Sequence, residues 1–166
     1  QLNSNFPYLT CQLLRKKFKD IHLFTAPEIH AKTGWTTDEL SAHLKQQILL
    51  PKYDFVTLLI GVNNQYRGRS VENFSIEFEA LLQQAIQFAG GNKQRTFVLS
   101  IPDWGVTPFA EGRDRQNIAE EIDQYNNTCK TITLSQGVNF IDITTSQRED
   151  GNKPAFLTED ELHHSA

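Results

Sequence analysis

The 166 residues carry 16 Lys and Arg against 20 Asp and Glu, a formal net charge of −4, with 39% hydrophobic and 22% charged residues. That length fits one domain with its own hydrophobic core, and the composition is that of an ordinary soluble globular protein. The acidic balance argues against a nucleic-acid binder, which needs a basic face for the phosphate backbone, and no apolar run reaches the roughly 18 residues that span a bilayer.

In chain order, Phe6-Pro7 opens a first helix whose apolar positions Leu9, Leu13, Leu14 and Phe18 recur at three- and four-residue steps. Glu28 to Ala31 predicts a short strand. Thr36-Thr37-Asp38-Glu39 forms a capping box, and the helix it starts is expected to run through Leu40, Leu44 and Ile48 until Pro51 stops it. Asp54 to Ile60 is nearly all apolar, which predicts a central parallel strand covered on both faces. Ser70 caps a long helix with Phe74, Phe78, Leu81, Leu82 and Ala85 on one face, ending at Gly90-Gly91. Thr96 to Ile101 is a second buried strand, broken by Pro102. The next helix turns Ile118, Ile122, Tyr125, Cys129 and Ile132 inward and closes at Gly137, before a last strand from Val138 to Ile143.

Strand, helix, strand, helix in succession implies right-handed crossovers and a three-layer α/β/α sandwich, one domain over residues 1–166. Cys11 and Cys129 are far apart, make no metal-ligand pair and are expected as free thiols. The chain starts at Gln1 and contains no methionine, so it is read as part of a longer gene product, with any signal peptide ahead of Gln1.

In open α/β sheets, functional groups gather beyond the carboxyl ends of the strands. Three segments fall there. Gly61-Val62-Asn63 follows the central strand; the glycine permits a sharp turn, and the Asn63 amide is a fixed neutral donor of the kind a developing oxyanion needs, though Gly and Asn are also common in plain turns. Gly34 precedes the capped helix and could present its backbone N–H to an anion, or simply be a loop glycine. Asp160 stands three residues before His163, a spacing that lets the carboxylate meet the imidazole, fix its tautomer and stabilise its protonated form; acidic surface loops also carry histidines without such a role. The adjacent His163 and His164 side chains point apart and no further ligand pattern occurs, so no metal is expected.

Together these segments resemble the SGNH hydrolases, also called the GDSL lipase/esterase family, which carries a Gly-Asp-Ser block near the start, a single Gly, a Gly-x-Asn and an Asp-x-x-His around a flavodoxin-like sheet. Gly34, Gly61-Val62-Asn63 and Asp160 to His163 match the last three blocks in order. The resemblance implies a serine-type ester hydrolase that cleaves a small-molecule ester through an acyl-enzyme, without a cofactor. It implies His163 as general base, Asp160 as its orienting partner, and Gly34 and Asn63 as oxyanion donors. No Gly-Asp-Ser occurs in the sequence. Gln1 to Asn5 looks like the loop after the first block, so the first strand and the nucleophilic serine are expected upstream of Gln1, and Ser4 is rejected for lack of a preceding Gly-Asp. In the last block Glu161 stands where the family commonly has glycine and His164 where it has proline, and the family's final helix is missing beyond Ala166.

Arg67 is a further candidate for binding an anionic or hydroxylated substrate group, or is a surface arginine. Trp104 and Phe109 either form an acyl or sugar platform or cover the core. Small acyl esters are favoured over long-chain lipids because no long hydrophobic lid is visible. The alternative is a catalytically inactive α/β domain that binds a ligand such as a carbohydrate. A flavodoxin-like nucleotide or flavin binder would want a phosphate-cradling loop after the first strand, and none is visible.

Overall fold

A computed structural model describes residues 5–163; Ser4, the rest of the expected loop before Asn5, and His164 lie outside the described residues. The helices are α1 (Phe6–Phe18), α2 (Thr37–Leu44), α3 (Val62–Tyr66), α4 (Val71–Phe88), α5 (Arg115–Ser135) and α6 (Thr144–Asp150), and the strands are β1 (Val56–Leu58), β2 (Thr96–Leu99) and β3 (Asn139–Ile141). The strands form a parallel sheet in the order β1-β2-β3, with Leu58 opposite Val98 and Val98 opposite Phe140. This is the expected α/β class with a parallel, flavodoxin-like sheet and helical crossovers.

Helix starts follow the sequence signals closely. Asn5 and Ser70 each accept from the backbone N–H three residues on, at 3.0 and 3.2 Å, satisfying donors that a helix leaves open at its first turn. The α2 capping box closes in both directions, with the Thr36 N–H donating to Glu39 Oε2 at 2.9 Å. The α4 stripe Phe74, Phe78 and Leu82 is fully buried and packs with Val98, Ile101 and Ile122 in the core, so the 3.6-residue period of the sequence is the period of burial.

Three expectations are corrected. The run from Asp54 to Ile60 is not covered on both faces: Leu58 is buried, but Thr57 is exposed and Phe55 is 56% exposed. Both crossovers, α4 and α5, pack against each other and the same side of the sheet, while α1 buries no side chain, so among the described residues coverage is one-sided there. Glu28 to Ala31 forms no strand. Its polar side chains are taken up sideways, His30 Nε2 lying 2.9 Å from Glu28 Oε1 and His30 Nδ1 3.2 Å from His43 Nε2. In addition α2 ends at Leu44 and Ile48 is fully exposed, having no apolar surface to meet. Cys11 and Cys129 are free, and burial pushes the Cys129 thiol up to about 12.

Candidate active site

The tip of β1 turns through Gly61 straight into α3. Gly61 has φ of +126°, and a Cβ there would fall 2.8 Å from Phe74 Cε2, so both the backbone twist and the fully buried Phe74 ring require glycine. The turn puts Asn63 in the first turn of α3, where its amide nitrogen donates to the Trp35 carbonyl at 3.0 Å. An amide nitrogen carries two hydrogens, and the second has no acceptor among the described residues.

Two side chains of this short helix, and Arg67 just past its end, grip residues 34–37. Beside the Asn63 bond, the buried Asn64 accepts from the Thr37 N–H at 3.1 Å and donates to the Thr37 hydroxyl at 2.7 Å. Arg67 donates to the Gly34 carbonyl at 2.7 Å and to Glu39 Oε1 at 3.3 Å, so its head group is engaged in holding the loop. Gly34 itself has φ of +87°. With its carbonyl bound to Arg67, its N–H is left without a hydrogen-bond partner among the described residues.

The Asp160–His163 segment is a closed turn. Thr158 N–H donates to the His163 carbonyl at 2.8 Å, and Asp160 Oδ1 accepts from the backbone N–H groups of Leu162 and His163 at 3.1 and 3.0 Å and lies 2.6 Å from the Thr158 hydroxyl. The other carboxylate oxygen, Oδ2, lies 2.6 Å from His163 Nδ1. The His163 N–H, the Thr158 hydroxyl, the imidazole and the Leu162 N–H, in that order, hold the Asp160 carboxyl well below the usual carboxylate range. With Nδ1 bound to a carboxylate, the neutral ring carries its proton there and leaves Nε2 to accept one. Both side chains are more than half exposed, at 60% and 52%, so the ring is open to solvent and solutes. Glu161 has φ of +58°, the left-handed conformation that glycine adopts freely, which explains why the resembled family commonly places glycine there.

Aromatic residues join the turn to α3. Phe109 N–H reaches the Glu161 carbonyl at 3.4 Å, and the Phe109 ring lies 6.4 Å from that of Tyr66, one turn after Asn63. Phe109 and Tyr66 are 44% and 47% exposed, whereas Trp104 is only 7% exposed and gives its indole N–H to Gln65 Oε1 at 2.8 Å. Trp104 is thus mostly buried and packs in the core, and Tyr66, which the sequence did not single out, is the exposed partner of Phe109. A cleft of about 370 Å³ opens beside them, lined by Tyr66, Arg113, Asp114, Asn117 and Glu121 with the Trp104 edge. The structure thus brings Gly34 next to Asn63 through Trp35 and Arg67, and connects the Asp160–His163 turn to the same helix through Phe109. Among the described residues no three His, Cys, Asp or Glu side chains gather as a metal site, and no helix is long and apolar enough to cross a membrane.

A parallel sheet with helical crossovers, and a Gly-x-Asn turn at the tip of β1, fits the SGNH-hydrolase class. The chain belongs to the GDSL-like lipase/acylhydrolase family, whose profile matches residues 3–166. The fold is similar to that of a lipase/acylhydrolase from Enterococcus faecalis, at TM-score 0.59 and 20% identity over 80% of this chain and 63% of that one. It is also similar to an alpha/beta hydrolase enzyme from the metagenome of Lake Arreo, Spain, at TM-score 0.71 and 18% identity over 95% of this chain and 72% of that one. A catalytic mutant of an acetylxylan esterase from Geobacillus stearothermophilus matches at TM-score 0.69 and 19% identity, again over 95% and 72%. The chain therefore spans less than two thirds of the length of the Enterococcus protein. A search of curated proteins gives no match.

Proposed function

We propose that this chain is part of a serine-type carboxylic-ester hydrolase in which His163 is the general base, Asp160 orients it, and the Gly34 N–H and Asn63 amide stabilise the oxyanion. The observation that carries the reading is the 2.6 Å contact between His163 Nδ1 and Asp160 Oδ2 inside a turn whose other donors keep the carboxylate charged. Family membership and the esterase neighbours support it.

In this mechanism a serine hydroxyl attacks the ester carbonyl while Nε2 of His163 takes its proton, and the carbonyl oxygen becomes an oxyanion. Two donors without acceptors among the described residues, Gly34 N–H and the second Asn63 N–H, meet that charge; a donor pre-aimed at the developing charge acts in the transition state more than in the ground state. The protonated imidazole then releases the alcohol, and water activated by the same nitrogen frees the acid. The reading requires a serine hydroxyl within reach of His163, which the family's Gly-Asp-Ser block supplies; no Gly-Asp-Ser occurs in residues 1–166. Small acyl esters fit it best, and the half-exposed Tyr66 and Phe109 rings offer an apolar contact for the group beside the carbonyl.

Hydrolysis of p-nitrophenyl acetate by the full-length protein tests it. Wild type turns the ester over, and His163→Ala lowers kcat by about 10³-fold or more. Equal rates for the two proteins remove His163 from the mechanism, and an inactive wild type points to a ligand-binding domain instead.

A further inference from the structure

Resting on that hydrolase reading, we propose that Asn64 is a positioning residue which, through Thr37, sets the separation of the two oxyanion donors Gly34 and Asn63. The need for such a device comes from the fold. Glu28 to Ala31 make no strand, so no ladder of backbone hydrogen bonds fixes the segment leading to Gly34 against the sheet. Gly34 sits in a loop and Asn63 in the first turn of α3, and their relation depends on side-chain bonds between residues 63–67 and residues 34–37.

Asn64 is fully buried and spends both ends of its amide on one residue, the equally buried Thr37, at 3.1 and 2.7 Å. Asn64 is the neighbour of Asn63, and Thr37 lies three residues past Gly34, at the first position of α2, whose N–H has no intrahelical partner. The pair therefore clamps the two donor-bearing segments one residue away from one donor and three from the other. The clamp has a direction. Asn64 Nδ2 donates to the Thr37 hydroxyl, the hydroxyl donates to the Glu77 carboxylate on α4, and Asn73 Nδ2 fixes the other Glu77 oxygen at 2.9 Å. Asn is required because it must accept from an N–H and donate to a hydroxyl at the same time. Asp cannot donate, and its carboxylate would compete with Glu77 for a single hydroxyl proton.

That direction supplies the test, with kcat and KM for p-nitrophenyl acetate measured on the full-length protein. Asn64→Ala and Asn64→Asp lower kcat about 10- to 100-fold with KM changed less than about twofold, the signature of misplaced groups that act in the transition state. Adding Glu77→Gln to Asn64→Asp reverses the chain: the new amide donates to the Thr37 hydroxyl, which donates to the new carboxylate, and kcat returns to within about threefold of wild type. If Asn64→Ala proves unfolded by its melting curve, the Asp variant and its double-substituted partner decide. A wild-type kcat in Asn64→Ala, or a double variant no faster than Asn64→Asp alone, overturns the assignment while His163→Ala still reports a working hydrolase. A wild type without esterase activity overturns the hydrolase reading and this inference with it.

Discussion

The Asn63 side-chain nitrogen lies 3.0 Å from the Trp35 carbonyl oxygen, which commits one of its hydrogens to the loop that presents Gly34 and orients the other. The partly buried Trp35 side chain packs against the core, which helps to hold the backbone carbonyl that Asn63 donates to. Asn63→Ala is expected to leave the fold intact and lower kcat about 10²- to 10³-fold, the loss typical of one oxyanion donor. Steady-state kinetics with a melting curve check this, and a kcat close to wild type would sink the oxyanion role.

Asp160 gives a pH prediction. Its folded-state pKa is depressed, so its contribution to stability is fully present above the usual carboxylate value of 3.8 and is lost as pH falls through the lower folded value. Between neutrality and about pH 4 the carboxylate stays charged, and a fall in rate over that range comes from another group. Carbon-detected NMR of the Asp160 carboxyl is expected to show no titration near 3.8, and Thr158→Val, which removes one of its donors, is expected to move the titration upward. An ordinary Asp160 titration in wild type would contradict the hydrogen-bond pattern of the turn.

Gly61 is held by sterics as well as by conformation. Gly61→Ala drives a methyl group to within 2.8–2.9 Å of the Phe74 ring and places a side chain at φ of +126°. A loss of about 3 kcal/mol in chemical denaturation is expected, from strain plus overpacking. Gly68→Ala is the comparison: φ is +63° but nothing lies within 4 Å, so only the backbone term remains. Equal losses for the two would show that the Phe74 contact carries no weight.

Glu161 is the one non-glycine residue in the left-handed region among the described residues, at φ of +58°. Glu161→Gly is expected to stabilise the protein by about 0.5–1 kcal/mol, the relief of left-handed strain less the greater freedom glycine has when unfolded. Thermal unfolding measures it, and a destabilised variant would mean that the strain is not felt.

What the sequence made legible was whatever repeats or caps. The α4 stripe Phe74, Phe78, Leu82 and the Thr36/Glu39 box each specify a helix by local chemistry, and both form as read. The three motif segments could be located because a glycine at a turn and an Asp three residues before a His are local signals. Partnerships between distant residues could not. Nothing near Asn64 announces a bond to Thr37, 27 residues earlier, and nothing near Arg67 announces that Gly34 takes its guanidinium. The doublet Asn63-Asn64 was the available hint, since two adjacent amides at a strand tip are more than a turn needs. Ile29 with its polar neighbours gave a strand pattern too short to survive the competing bonds of Glu28 and His30. Trp104 read equally well as platform or core because an indole serves both, and its burial is decided by Gln65, 39 residues earlier.

The Thr158–His163 turn has a consequence for how the site comes apart. Its internal bonds span at most five residues, so the contact between His163 and Asp160 is formed within six consecutive amino acids, with Phe109 tying the turn to the rest of the fold. The donors at Gly34 and Asn63 meet only across a gap of 28 residues, after α2, α3 and α4 have docked. On gentle heating or in mild denaturant, the proposed oxyanion half is therefore expected to disperse first, while the His163 imidazole stays tethered to the Asp160 carboxylate.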